Sequence, residues 1–121
     1  MQINLDHIIY AVDELGLPKG LFIGNSLLGF QWGFDQIWWD YESSGAWVWL
    51  AAFLAHCEAE AEKRYGMEIY THEAGVFWVT EGDFQTETVK HEKGNAPSRL
   101  CARLAALVSG LKAVKENNGG N

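Results

Sequence analysis

Apolar residues recur at helical spacing near the start of the chain, where Leu5, Ile8, Ile9, Val12 and Leu15 fall on one stripe and Gly16 and Pro18 follow. Side chains three and four positions apart share a helix face, and Gly then Pro end such a run. A short helix over about Asp6 to Leu15, stripe inward, is therefore predicted. Between Ala46 and Ala55 the chain is apolar on nearly every side, whereas the "HCEAEAEKRYG" that follows is charged. Together they predict one longer helix, opened by Ser43 or Ser44, whose hydroxyls accept first-turn N–H groups, and stopped at Gly66 after Tyr65. Its first half is expected to be buried and its second half to emerge. The period then changes to two. "MEIYTHEAGVFWVTEGDFQTETVKHEKG" alternates and carries the turn signals "HEAG" and "EGD". Three antiparallel strands are predicted, at about Met67 to Thr71, Val76 to Thr80 and Phe84 to His91. Val76 and Trp78 share one face of the middle strand and Phe77 and Val79 the other, so both faces are expected to be covered. Leu100, Leu104, Leu107, Leu111 and Val114, widened by Cys101 and Val108, predict a last helix lying on the sheet, from near Pro97 to about Glu116. A flexible polar tail over 117–121 is expected after it.

The order of these elements predicts an α+β fold in one domain spanning 1–121: a small antiparallel meander covered by helices in an α/β/α layered sandwich. The helix "AWVWLAAFLAHCEAEAEKRYG", the meander with "GVFWVTEGDF" and the Pro-entered "NAPSRLCARLAALVSGLKAV" together resemble the phage ABA-sandwich type of small bacteriophage protein over about residues 43 to 115. In that type a short sheet lies between helical layers. The resemblance implies a phage accessory protein that acts by binding a host complex. Residues 1 to 42, richer in Trp and Gly, depart from the type, and an individual function is expected there.

A chain of 121 residues with 48% hydrophobic and 21% charged content suits one folded core. The formal charge of −7, with only nine Lys and Arg, argues against direct nucleic-acid binding, which needs clustered cations against phosphate. The charge is also lopsided. Residues 1 to 62 hold nine acidic side chains against the single Lys19, a net −8, while residues 63 to 121 are close to balanced. Such asymmetry steers toward a basic partner, and it equally describes a solvated acidic face. "MQINLDHIIYAVDELG" has no basic n-region, so a cytoplasmic location in a host cell is expected. The apolar run "GAWVWLAAFLAHC" is too short for a membrane span. Cys57 and Cys101 are expected to be small, reduced and buried.

No enzymatic motif holds together. His72-Glu73 and His91-Glu92 lack the second His that zinc ligation on a helix requires. His56 and Glu60 stand one helical turn apart beside Cys57, but a metal needs at least a third well-aimed ligand. Cys57 and His56 point about 100° apart on a helix, which disfavours a nucleophile pair. The glycines form no GxGxxG after a strand and no GK[ST]. No catalytic residue, cofactor or metal is expected.

What remains is "FQWGFDQIWWDYESSGAWVWL", residues 30 to 50, which carries Trp32, Trp38, Trp39, Trp47 and Trp49 with Asp35, Asp40 and Glu42 and no Lys, Arg or His. Residues 20 to 41 read as extended, turn-punctuated chain with a hairpin near Asp35 and Gln36. Trp47 aligns with Leu50, Leu54 and Cys57 and is expected in the core, with Trp49 beside Phe53. Trp38 and Trp39 point to opposite faces if extended, leaving one at a rim beside Asp35, Asp40 and Glu42, the composition of a hot spot for Arg and Lys. The expected contact residues are Asp35, Trp38, Trp39, Asp40 and Glu42, with Glu58, Glu60 and Glu62 on the charged half of the long helix. The acids of the meander, Glu68, Glu81 and Glu87, lie where charge is locally balanced and are expected to matter less. The resulting reading is a non-enzymatic inhibitor of a basic nucleic-acid-handling defence complex, of anti-CRISPR or another anti-defence type. Alternatives are a nucleotide or small-molecule sponge, and a structural homodimer formed through the outer Trp or the sheet edge.

Overall fold

The computed structural model describes residues 3–16, 44–73, 75–80, 83–84, 88–92 and 95–119. The expected hairpin and the contact residues Asp35, Trp38, Trp39, Asp40 and Glu42 lie outside the described residues, as does the side chain of Trp49.

Helix α1, Leu5–Leu15, opens at Asn4, whose side-chain oxygen accepts the Asp6 N–H at 3.0 Å and so satisfies one of the orphan donors of the first turn. Ile3 and Ile8 flank that cap at hydrophobic-staple positions, and both are buried. The helix closes at Gly16, whose left-handed φ of 64° lets its N–H reach the carbonyls of Asp13 and Val12. Helix α2, Ser44–Tyr65, ends the same way at Gly66, φ 65°. Leu50, Phe53, Leu54, Cys57 and Ala61 of α2 are buried, but Ala51 and Ala55 are exposed and Trp47 is half-buried against the core. Among its described side chains the apolar half is thus one-sided rather than buried all round: Ala, with one methyl group, costs little on either side of a boundary.

One residue, Met67, separates Gly66 from the sheet. Strands β1 (Glu68–His72), β2 (Gly75–Thr80) and β3 (Asp83–Phe84) pair antiparallel in the order β1-β2-β3. The β1–β2 register runs from Glu68↔Val79 to His72↔Gly75, which sets a tight turn at the predicted "HEAG". Of the predicted third strand, the described residues show a paired segment at Asp83–Phe84 and a bridge at Val89. Val79 and Thr80 pair with Phe84 and Asp83, and the chain returns to β2 at Val89, which exchanges two hydrogen bonds with Val76 at 2.8 and 2.9 Å. Between these pairings β2 advances three residues and its neighbour five, and that mismatch interrupts a regular ladder.

Helix α3, Ala96–Gly119, starts one residue before Pro97 and runs three residues beyond the expected end at Glu116. It is the centre of the molecule, packing on β2 and β1 and also on α1 and α2. Two arcs make this possible. Leu104, Leu107, Leu111 and Val114 form the predicted apolar stripe, while Ser98, Ala102, Ala106 and Gly110 recur every four residues as a second buried column of small side chains. At Gly110 that column meets Met67 and the Trp78 ring. The result is an α+β layered fold with helices packed against the sheet. Its faces are not covered alike: Val76 and Trp78 are buried toward the helices, whereas Phe77 and Val79 are half-buried and Tyr70 is 44% exposed. Among the described residues, no helix is long and apolar enough to cross a membrane.

Candidate functional site

Because only Met67 stands between the Gly66 turn and β1, the last turns of α2 and the start of β1 lie side by side. Glu58 and Glu62, one helical turn apart, therefore face Glu68 and Tyr70, two apart on the strand. Glu58, Glu62, Met67, Glu68, Ile69 and Tyr70 line an open cleft of about 230 Å³. Met67 and Ile69 supply apolar lining, and Glu58, Glu62, Glu68 and Tyr70 supply three carboxylates and a phenol. The Tyr70 hydroxyl donates to the Glu68 carboxylate, and that bond, with the charge of Glu68, raises the Tyr70 pKa. The ring itself stacks on Phe77 at 5.5 Å, with His72 tilted against Phe77 at 5.0 Å.

The carboxylates expected at the contact surface do not share one state. Glu58 takes a fork from Arg103 of α3, with Nε to Oε1 at 2.9 Å and Nη2 to Oε2 at 3.0 Å, and so is largely neutralised within the fold. Glu60 pairs with Arg64 one turn on, at 3.3 Å. Glu62 is exposed on the cleft, and among the described residues neither it nor Glu68 is in an ion pair. The structure thus brings Glu62 together with Glu68, an acid expected to matter little, and ties Glu58 and Glu60 to arginines. Sequence reading missed Glu68 and Tyr70. The signal available was the helix–Gly–strand junction, which is too short to let Glu62 and Glu68 separate.

Cys57 is not placed as a nucleophile. Cys57 is buried, and burial, with Glu58 and Glu60 nearby, pushes its thiol up to about 12, so it stays protonated. His56 beside it is exposed. His91 sits with Nδ1 3.2 Å from the Glu92 carbonyl and Nε2 3.3 Å from the His72 carbonyl, a backbone clamp at the sheet end. Among the described residues, no group of three or more His, Cys, Asp or Glu side chains is placed to hold a metal ion. Apolar lining beside the carboxylates of Glu62 and Glu68 suits the stem and head of Lys or Arg, and the same charge repels phosphate. Comparison with family models, curated proteins and solved structures found no match to this chain.

Proposed function

We propose that this chain is a small acidic binding protein that docks on a Lys- and Arg-lined surface of a partner. The observation that carries the reading is the juxtaposition of Glu62 and Glu68 beside the exposed Tyr70, where the segment of net −8 that ends at residue 62 meets the start of the sheet. A carboxylate pair with an aromatic ring offers a cation both charge pairing and a π face. The partner class is a nucleic-acid-handling complex of a host defence system, whose phosphate-binding channel presents such cations. An acidic protein seated there gains the counterion release that nucleic acid gains. Phage origin is part of this proposal and rests on the resemblance over residues 43 to 115 alone. The sponge alternative rests on the Trp and Gly of residues 20 to 49, most of which lie outside the described residues; the carboxylates of the cleft would oppose phosphate.

Affinity capture from the host, followed by competition at low salt, tests the reading. A captured nuclease or surveillance complex is expected to lose nucleic-acid binding as the protein is added. Replacing Glu62 and Glu68 by Lys is expected to weaken capture by about tenfold or more, and raising salt to weaken it further. The Asp35, Asp40 and Glu42 to Lys set serves as a second arm with the same expected direction, with melting temperature measured beside it. Unchanged capture by both sets, with folding intact, would leave the acidic half a solvated face and the proposal without support.

A further inference from the structure

Strand β1 is an edge strand among the described residues, and its sequence, Glu68-Ile-Tyr-Thr-His72, has neither Pro nor Lys to protect that edge, Glu68 being its one acidic charge. Ile, Tyr and Thr are moreover strong strand formers. The direction of its free backbone groups follows from the ladder. Val76 exchanges both its hydrogen bonds with Val89, so the polar groups of Val76 and, by alternation, Trp78 face away from β1. Their β1 partners are Thr71 and Ile69. The backbone groups of Ile69 and Thr71 therefore point outward, where another strand would add.

Arg103 occupies that position. Reaching over from α3, its Nη1 donates to Thr71 Oγ1 at 2.6 Å and its Nη2 lies 3.5 Å from the Ile69 carbonyl oxygen, while Glu58 holds the other side of the guanidinium at 2.9 and 3.0 Å. An incoming strand would have to displace this fork to reach the Ile69 carbonyl. The edge is also self-complementary. A second copy laid antiparallel about Tyr70 would exchange hydrogen bonds between Ile69 of one copy and Thr71 of the other, using only outward groups. In that register Glu68 lies opposite His72 and Tyr70 opposite Tyr70, all on one face, so charge and aromatic pairing agree with the hydrogen bonding.

We propose that the outer edge of β1 is a latent homodimer interface that the Arg103–Glu58 pair holds shut. Glu58, Glu68, Ile69 and Tyr70 also line the acidic cleft, so pairing of two copies would cover it, but the inference does not depend on what the cleft binds. Its test is the oligomeric state of Arg103→Met, which keeps the packing of the side-chain stem and removes the guanidinium, measured by light scattering with hydrogen exchange at Ile69 and Thr71. The wild type is expected to be monomeric over the micromolar range, and Arg103→Met to dimerise at roughly tenfold lower concentration, with slowed exchange at those two amides. Adding Thr71→Pro should return the variant to monomer, because that outward N–H serves no ladder bond within the sheet. If Arg103→Met loses its helical circular dichroism, Glu58→Gln, which loosens the guanidinium at constant volume, is read in its place with the same outcomes. A monomeric folded variant, a dimer indifferent to Thr71→Pro, or a wild type already paired through Ile69 and Thr71 would overturn the proposal.

Discussion

At Gly110 the absence of one side chain decides how closely the last helix and the sheet approach. A Cβ built there would overlap Met67 Sδ and stand 3.0 Å from Cδ2 of the Trp78 ring. Met67 can shift, but Trp78 is buried at 3% exposure and its rigid ring cannot turn aside. Gly110→Ala should gain about 1 kcal/mol of helix propensity. Overpacking should remove about 1–3 kcal/mol. A net loss is therefore expected in chemical denaturation, and a stabilised Gly110→Ala would show that Trp78 is not held as described. The same ring carries the buried side-chain polar atom that stands without a hydrogen-bond partner among the described residues, Trp78 Nε1. An unsatisfied buried donor costs on the order of 1–3 kcal/mol, which the burial of so large a ring offsets.

Among the elements, α3 has the most elaborate start. Asn95 caps it, its Oδ1 accepting the Ser98 N–H at 3.3 Å and its Nδ2 donating to Glu92 Oε2 at 3.0 Å. Ser98 in turn turns back to accept the Glu92 N–H at 2.7 Å, so the segment before the helix and its first turn satisfy each other. Pro97 needs no partner for its nitrogen at this point. Asn95→Ala should destabilise the fold by about 1 kcal/mol, within the usual 0.5–2 for a lost cap, while Asn95→Asp keeps most of it. Urea titration of the two variants checks this, and equal losses would mean that the oxygen is not what matters. The cap also fixes where α3 begins, and so the height at which Arg103 meets Glu58 and Thr71. Its Asn-x-x-Ser spacing is readable in the sequence once a helix is expected there; Pro97 alone marks the start only to within a residue or two.

For the molecule as a whole, the seam between α1 and α3 couples stability to pH. Burial of His7, with Lys112 nearby, lowers its pKa, against a smaller opposing effect of Asp6. The unfolded chain therefore takes up this proton more readily than the folded one. The contribution of His7 to stability is fully present above the ordinary histidine value of about 6.5 and is lost as pH falls below it. The seam also holds Lys112 over the Tyr10 ring at 5.1 Å, and Lys115 on Glu14 at 2.8 Å. His7→Gln should flatten the fall in melting temperature between pH 7.5 and pH 5, whatever its effect at neutral pH. Parallel pH profiles for wild type and variant would remove His7 from the account.

By itself the sequence determined the described helices, the β1–β2 hairpin and most of the described core, because those features rest on interactions within a few residues. Examples are the stripe Ile8, Val12 and Leu15, the stop at Gly66, and the tight turn between His72 and Gly75. The net −8 through residue 62 was equally plain, since charge is additive along a chain. Only the tertiary structure decided which charges stay available. Arg103 reaches Glu58 across 45 residues, and nothing in the local pattern of either helix names the other. Gly110 meets Trp78 because a column of small residues faces the sheet, whereas Glu62 and Glu68 are held together by a junction short enough to be read locally. Periodicity tells which side of an element is buried. What lies against that side is set by how the layers close, a global balance of packing that no short window of sequence contains.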